Sequence, residues 1–366
     1  MSFRRIFNTQ YNISFKPPLQ DTCNICDSTL DQAGPPLAEV QLHRARVEAA
    51  IQSFRADKLI CINNDAPMVI TMDLQQALPT PHIPTSKVFY MRQLWTYNFG
   101  LHICDNNLGV MCVWPEHFAS RGADEIGSCL LRALPLYCQN KRDIIIWSDC
   151  CSGQNKNFKI MCLWLFMVES GHFDSITHKF FVPGHSMMDS DRDFGIIEKK
   201  KRKVQYVYTH EDWVSLIESA KTKNPFKVLK MGKEHLKNLD DIEKLYVKRK
   251  KRSDGDKLYL SKVSCVRLSR DRPGVLQFKY TYNPSINIWK YVDVNRKASA
   301  PALEVDALPS KYPSGRAIKA EKKKDLNSLL HFVPPCHHPY FNDILADKSQ
   351  KEEDYLVSEN LADVEE

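Results

Sequence analysis

The stretch IIIWSDCCSGQNKN, residues 144–157, runs from four apolar side chains into an acid and then into a polar loop. Asp143–Trp147 has no polar face, so it reads as an inner parallel strand covered on both sides. That single feature requires a sheet sandwiched between helices, an α/β arrangement. It also places Asp149 where an ionised carboxylate needs compensation. Either Asp149 caps the following helix, with Ser152 an equally able cap, or it faces something positive.

The elements around this strand follow a regular order. Leu37–Lys58 carries an apolar helical stripe (Leu37, Val40, Leu42, Val47, Ala50, Ile51, Phe54) with charges between. Met68–Met72 reads as a strand leading into Asp73, followed by a Pro-rich connection from Leu78 to Pro84. Val88–Tyr90 is a β-rich lead-in to a strand over Trp95–His102. Asp105-Asn106-Asn107 is a hairpin turn into a strand over Leu108–Trp114. Gly122–Tyr137 shows a helical face, with Pro135 expected to bend its last turn. After Asp143–Trp147 come an all-round apolar helix over Asn155–Val168, a strand over His178–Val182, and a helix over Asp189–Lys203 ending in cations. The order is β-β-β-α-β-α-β-α: an antiparallel meander, then crossovers onto a mixed five-stranded sheet.

In such a sheet the strands ending at Asp73 and Asp149 can be parallel neighbours, about 4.8 Å apart. Their carboxylates could share a divalent cation, and oxygen ligands suit Mg²⁺ or Mn²⁺. Two such ions, roughly 3.5–4 Å apart, would activate a water or a 3′-hydroxyl and stabilise the leaving oxygen of a phosphodiester. Further acids follow: Glu125 at the start of a helix, and Asp189, Asp191, Asp193 and Glu198 in VPGHSMMDSDRDFGIIEK, 182–199. Each singly has a plainer reading, as a helix-start carboxylate or a solvated turn.

The element order, with acids after the first strand, opening the first helix, after the fourth strand and on the last helix, resembles the ribonuclease-H-like superfamily, which includes integrases and DDE-type transposases. VPGHS followed by acids is similar to the His-then-Asp region of ribonuclease H. The blocks MDLQQALPTP, SDCCSGQNKN and PGHSMMDSDRDFG resemble an uncharacterised, repetitive, transposon-derived protein family of animal genomes. The resemblance covers roughly residues 67–203. It implies a ribonuclease-H-like fold and a nuclease or transposase that cleaves or transfers nucleic-acid phosphodiesters, or a domesticated, inactive relative that binds nucleic acid or protein. Carried over, it makes Asp73, Glu125 and Asp149 metal ligands with Asp193 as the fourth acid. Asp189, Asp191 and Glu198 are alternatives, and His185 is a mobile proton or phosphate partner rather than a ligand.

Charge supports a polyanionic partner. Of a net +7, residues 199–260 hold 18 Lys/Arg against 9 Asp/Glu, which leaves the rest of the chain at −2. Lys199, Lys200, Lys201, Arg202 and Lys203 resemble a nuclear import signal or a grip on a nucleic-acid backbone, and Lys248–Arg252 forms a second basic cluster. Gln154, Asn155, Lys156 and Asn157 could donate to phosphates beside Asp149. DNA is the expected partner, and the nucleus or cytoplasm the expected location.

No apolar run reaches the roughly 20 residues of a spanning helix, and MSFRRIFNTQ lacks the core of a secretory signal. Twelve cysteines are therefore expected to be reduced. Cys23 and Cys26 have the spacing of half a zinc site, to which His43 or Cys61 could add. Cys150 and Cys151 invite a thiol-hydrolase reading with His185 as base, although nothing resembling an oxyanion hole accompanies them. Cys336-His337-His338 reads as a packing or surface cluster. The domain expectation is a CxxC segment and helix (1–60), the ribonuclease-H-like core (61–220), a basic, β-rich appendage with strands in Leu258–Leu268, Val275–Tyr282 and Ile288–Val294 (221–296), and a linker, short helix and acidic tail (297–366).

Overall fold

The computed structural model describes residues 23–27, 36–61, 63, 66–247, 258–286, 288–295 and 303–347. The basic cluster at 248–252 and the acidic tail from 348 lie outside them.

In chain order the elements are α1 (Asn24–Asp27), α2 (Leu37–Ile60), β1 (Met68–Leu74), β2 (Leu78–Thr80), β3 (Leu94–Ile103), β4 (Leu108–Pro115), α3 (Ala123–Tyr137), β5 (Asp143–Ser148), α4 (Phe158–Glu169), β6 (Ser175–Phe180), α5 (Asp189–Lys201), α6 (His210–Glu218), β7 (Lys227–Lys230), α7 (Asp240–Leu245), β8 (Cys265–Ser269), β9 (Val275–Lys279), β10 (Lys290–Asp293), β11 (Ile318–Lys319), α8 (Ala320–Leu329), α9 (His338–Asn342) and β12 (Ala346–Asp347). The fold is mixed α/β. One large sheet runs β10-β9-β8-β6-β5-β1-β3-β4-β7, with β2 paired to β3 outside that path.

At its centre β1 is parallel to β5 and antiparallel to β3, β5 is parallel to β6, and β3 and β4 form the expected hairpin. Asn107 turns that hairpin at φ 52, a left-handed conformation that Asn tolerates better than most residues. The strand segment with no polar face, Ile144–Trp147, is buried along its length. On one face Met68, Ile70, Met72, Ile144 and Ile146 pack in a cluster with Ile126 and Leu130 of α3 and Leu163 of α4. On the other, Val69, Ile145 and Trp147 meet Phe54 of α2, Phe181 and Met188. Met111 and Val113 of β4 are covered by Phe194 and Ile197 of α5 and Trp213 of α6.

Three expectations change. Val88–Tyr90 lies in a 3-10 turn rather than a strand, with Thr85 accepting from the Lys87 amide. Neither Asp149 nor Ser152 caps α4: Asn157 does, its side chain accepting from Ile160 N at 3.0 Å. The strands expected as an appendage extend the main sheet, because β8 pairs antiparallel with β6, covering the edge left by the five central strands. Lys156 strengthens this join by donating to the Ser261 carbonyl at 2.7 Å. Further along, α8 is tied down by Lys322, whose buried ammonium meets both oxygens of Glu116 at 2.7 and 2.9 Å. Among the described residues no helix is long and apolar enough to cross a membrane.

Candidate functional site

The registry of β1 and β5 pairs Thr71 with Trp147. Continued two residues, it sets Asp73 opposite Asp149 at the C-terminal ends of adjacent parallel strands. Side chains alternate along a strand, so Asp73 shares a face with Thr71 and Val69, and Asp149 with Trp147 and Ile145. This is the face covered by α2 and the start of α5. There the Ser190 amide donates to Thr71 Oγ1 at 3.1 Å, fixing the first turn of α5 beside β1.

Asp73 and Asp191 are hydrogen-bonded to each other. Burial, then the charges of Asp149 and Asp191, push the Asp73 carboxyl well above the usual carboxylate range, against a 2.7 Å bond from the Leu74 amide. Burial likewise raises Asp191, which also accepts from Met188 N at 3.1 Å as the acidic member of the helix cap. Asp149 accepts from Asn155 Nδ2 at 2.6 Å and Cys151 N at 3.2 Å, both on Oδ1, so Oδ2 keeps its lone pairs for another partner. Three carboxylates from separate elements thus act on one another, although no choice of one oxygen from each brings all three within 4.8 Å of one another.

The other acids go elsewhere. Asp193 lies against His102 Nδ1 at 2.6 Å with both side chains buried, on the part of α5 that faces β3. Asp191, two residues earlier, occupies the position expected of Asp193. Glu125 accepts from Gly122 N at 2.8 Å and Ser120 N at 3.2 Å, serving the start of α3, and its charged neighbours are Asp124 and Lys311. Asp189 pairs with Lys58 of α2 at 2.6 Å and Arg192 at 3.2 Å. Glu198, two turns beyond Asp191, accepts from Gln75 Nε2 at 3.0 Å and pairs with Lys201.

The expected phosphate donors fare unevenly. Asn155 is buried and spent on Asp149. Lys156 is buried, with its ammonium over the Phe180 ring and bonded to the Ser261 carbonyl. Neither can reach a backbone phosphate as placed. Gln154 is half-buried, while Lys199, Arg202 and Lys203 are exposed and Lys200 half-exposed at the end of α5. The thiol-hydrolase arrangement is not assembled. Cys150 Sγ donates to the Phe181 carbonyl at 3.1 Å, burial raises its pKa, and His185 faces away into a different cluster.

That cluster contains Cys23, Cys26, His43 and His185, whose ligand atoms all lie within 4.8 Å of one another and could hold a metal. Cys23 Sγ is 3.3 Å from His43 Nε2, Cys26 Sγ is 3.5 Å from His185 Nε2, and the two Nε2 atoms are 3.0 Å apart. Of the two candidate additions, His43 belongs to the group and Cys61 does not. His185, expected beside the carboxylates, is the fourth. The sequence signal for it was the PGH turn: Gly184 takes φ +74, and a Cβ there would come within 3.1 Å of the Cys23 Cα, so glycine permits the approach. Cys336 is exposed, and His338 is occupied by the Leu330 and Val333 carbonyls.

Against known proteins, residues 105–261 are similar to a family described as a domain of unknown function (DUF7869). No curated protein matches the chain, and no solved structure does.

Proposed function

We propose that the chain is a ribonuclease-H-like, divalent-metal-dependent nuclease of transposase descent that acts on nucleic-acid phosphodiesters, with Asp73, Asp149 and Asp191 as its metal-binding carboxylates. The supporting observation is the in-phase pairing of β1 with β5, which brings Asp73 and Asp149 to one rim where Asp191 joins them. The order β4-β3-β1-β5-β6, with only β3 antiparallel to the rest, also agrees with a ribonuclease-H-like core. The all-oxygen donors suit Mg²⁺ or Mn²⁺, and the raised Asp73 pKa reflects burial and then crowded like charge, which a dication would relieve. Bound metal would supply Lewis acidity and an activated water or hydroxyl. The chain's own part is to hold Asp149 through Asn155, to cap α5 through Asp191, and to offer Lys199, Arg202 and Lys203 to a DNA backbone, in keeping with a nuclear location.

A second reading has specific support: Glu125 is committed to its helix cap and Asp193 to His102, so three carboxylates rather than four are free for metal. A domesticated, non-cleaving module that binds nucleic acid or protein would tolerate that loss. Purified protein incubated with plasmid DNA and Mn²⁺ or Mg²⁺ separates the two. The nuclease reading expects metal-dependent nicking that Asp149→Asn abolishes. DNA binding without nicking by the wild type supports the module, and nicking unaffected by Asp149→Asn overturns the assigned site.

A further inference from the structure

The Cys23, Cys26, His43 and His185 cluster joins three separate parts of the chain. Cys23 immediately precedes the short α1 and Cys26 lies within it, His43 lies in the second turn of α2, and His185 sits in the turn between β6 and α5. Two thiols and two imidazoles form a donor set that favours zinc over the hard cations expected at the carboxylate rim. Bond lengths of about 2.3 Å to sulfur and 2.0–2.1 Å to nitrogen put tetrahedral S···N and N···N edges near 3.6 and 3.3 Å. The observed separations, 3.3 and 3.5 Å for S···N and 3.0 Å for N···N, lie within a few tenths of an ångström of those edges. Four protein donors would complete the coordination and leave no open position for substrate, which is the pattern of a structural site.

We propose that these four residues form a closed structural Zn²⁺ site that fastens α1 and α2 to the turn preceding α5. The turn is the last segment before Asp189 and Asp191, so the clasp fixes where α5 starts over the sheet. The Lys58–Asp189 ion pair at 2.6 Å is a second tie between the same two helices. The site stands apart from the carboxylates in both chemistry and ligands, so it does not depend on the nuclease reading.

The test is the metal content of the full chain purified from zinc-supplemented cells without chelator. About one zinc per chain is expected, lost in Cys26→Ser and in His185→Gln and kept in Cys336→Ser and Asp149→Asn. Cobalt reconstitution should give the intense visible bands of tetrahedral thiolate coordination in the wild type alone of the first three. A wild type purified without zinc, or either ligand variant with a full equivalent, overturns the site. Because the ligand variants could fail to fold, the wild type is also followed by hydrogen exchange during zinc removal. Exchange should rise over residues 37–45 and 182–191 and stay unchanged in β1 and β5. Zinc release with no change in those two segments overturns the fastening role.

Discussion

Asp191 and Asp193 are two residues apart on α5, hence about 200° apart around its axis, and the two are expected to respond in opposite ways to the same substitution. Asp193 is 1% exposed and its carboxylate meets His102, itself 1% exposed, at 2.6 Å. Asp193→Ala removes that partner and leaves the imidazole with an unpaired buried nitrogen. Breaking a buried pair of this kind costs about 3–5 kcal/mol, and at roughly 2–4 °C per kcal/mol the melting temperature should fall by on the order of 10 °C. Asp191 is exposed as a residue although its carboxyl is desolvated among its neighbours, and its contacts are the capping bond from Met188 N and the bond with Asp73. Asp191→Ala loses about 1 kcal/mol of capping and the bond with Asp73, while the like charge it sets against Asp73 and Asp149 goes too, so its net change should stay within about 1 kcal/mol. Urea unfolding followed by tryptophan fluorescence reads both, and a parallel Mn²⁺ titration should show weakened binding for Asp191→Ala. The reasoning is refuted if the two variants are equally destabilised. It is refuted equally if Asp193→Ala keeps full stability while Asp191→Ala binds Mn²⁺ as the wild type does.

Two further outcomes follow from buried titratable groups. Asp73 has a folded pKa above its unfolded value, so it costs stability as pH rises from the ordinary carboxylate range through the raised value. Asp73→Asn should therefore stabilise the metal-free protein at neutral pH, with the gain vanishing below about pH 4; denaturant midpoints across that range would expose a pH-independent effect as a contradiction. His178 is fully buried, accepts from Trp164 Nε1 at 3.1 Å and lies 2.9 Å from Ser148 Oγ, and burial pulls its pKa down to about 3. Stability should then fall as pH drops from about 6.5 toward 3, by up to about 1.4 kcal/mol per pH unit from this residue, and His178→Gln should flatten that slope in melts at pH 4.5, 5.5 and 6.5.

The elements that sequence alone located are those with strong local signals. The both-faces-apolar β5, the hairpin turn at Asn107 and the apolar α4 each carry their pattern within a few residues, and together they fix the order that sets Asp73 opposite Asp149. Short elements such as β2, β7 and α7 have too few residues for a period to emerge, so no pattern in the sequence marks them. That Asp193 meets His102, while Asp191 meets Asp73, has a different cause. Which side of α5 meets the sheet is decided by Phe194 and Ile197 packing on β3 and β4, a contact the helix's own residues do not reveal. The pairing of β8 with β6 is likewise a long-range choice, and alternation along a strand says nothing about which neighbour it takes. Half of the Cys/His cluster could be read from CxxC spacing, whereas His185 comes from 159 residues beyond Cys26 and only the fold brings it close.

The strand order bears on how this chain can be divided. The segment similar to a known family, 105–261, contains β4, β5, β6 and β7 but neither β1 nor β3. Those two absent strands stand between β5 and β4. Excised by itself, the segment would have to bridge three inter-strand steps, roughly 14 Å, with nothing to bond to on either side. The boundary drawn by similarity is thus not a boundary of folding: a fragment cut there leaves two half-sheets facing a gap, and any piece meant to fold independently has to begin upstream of Met68.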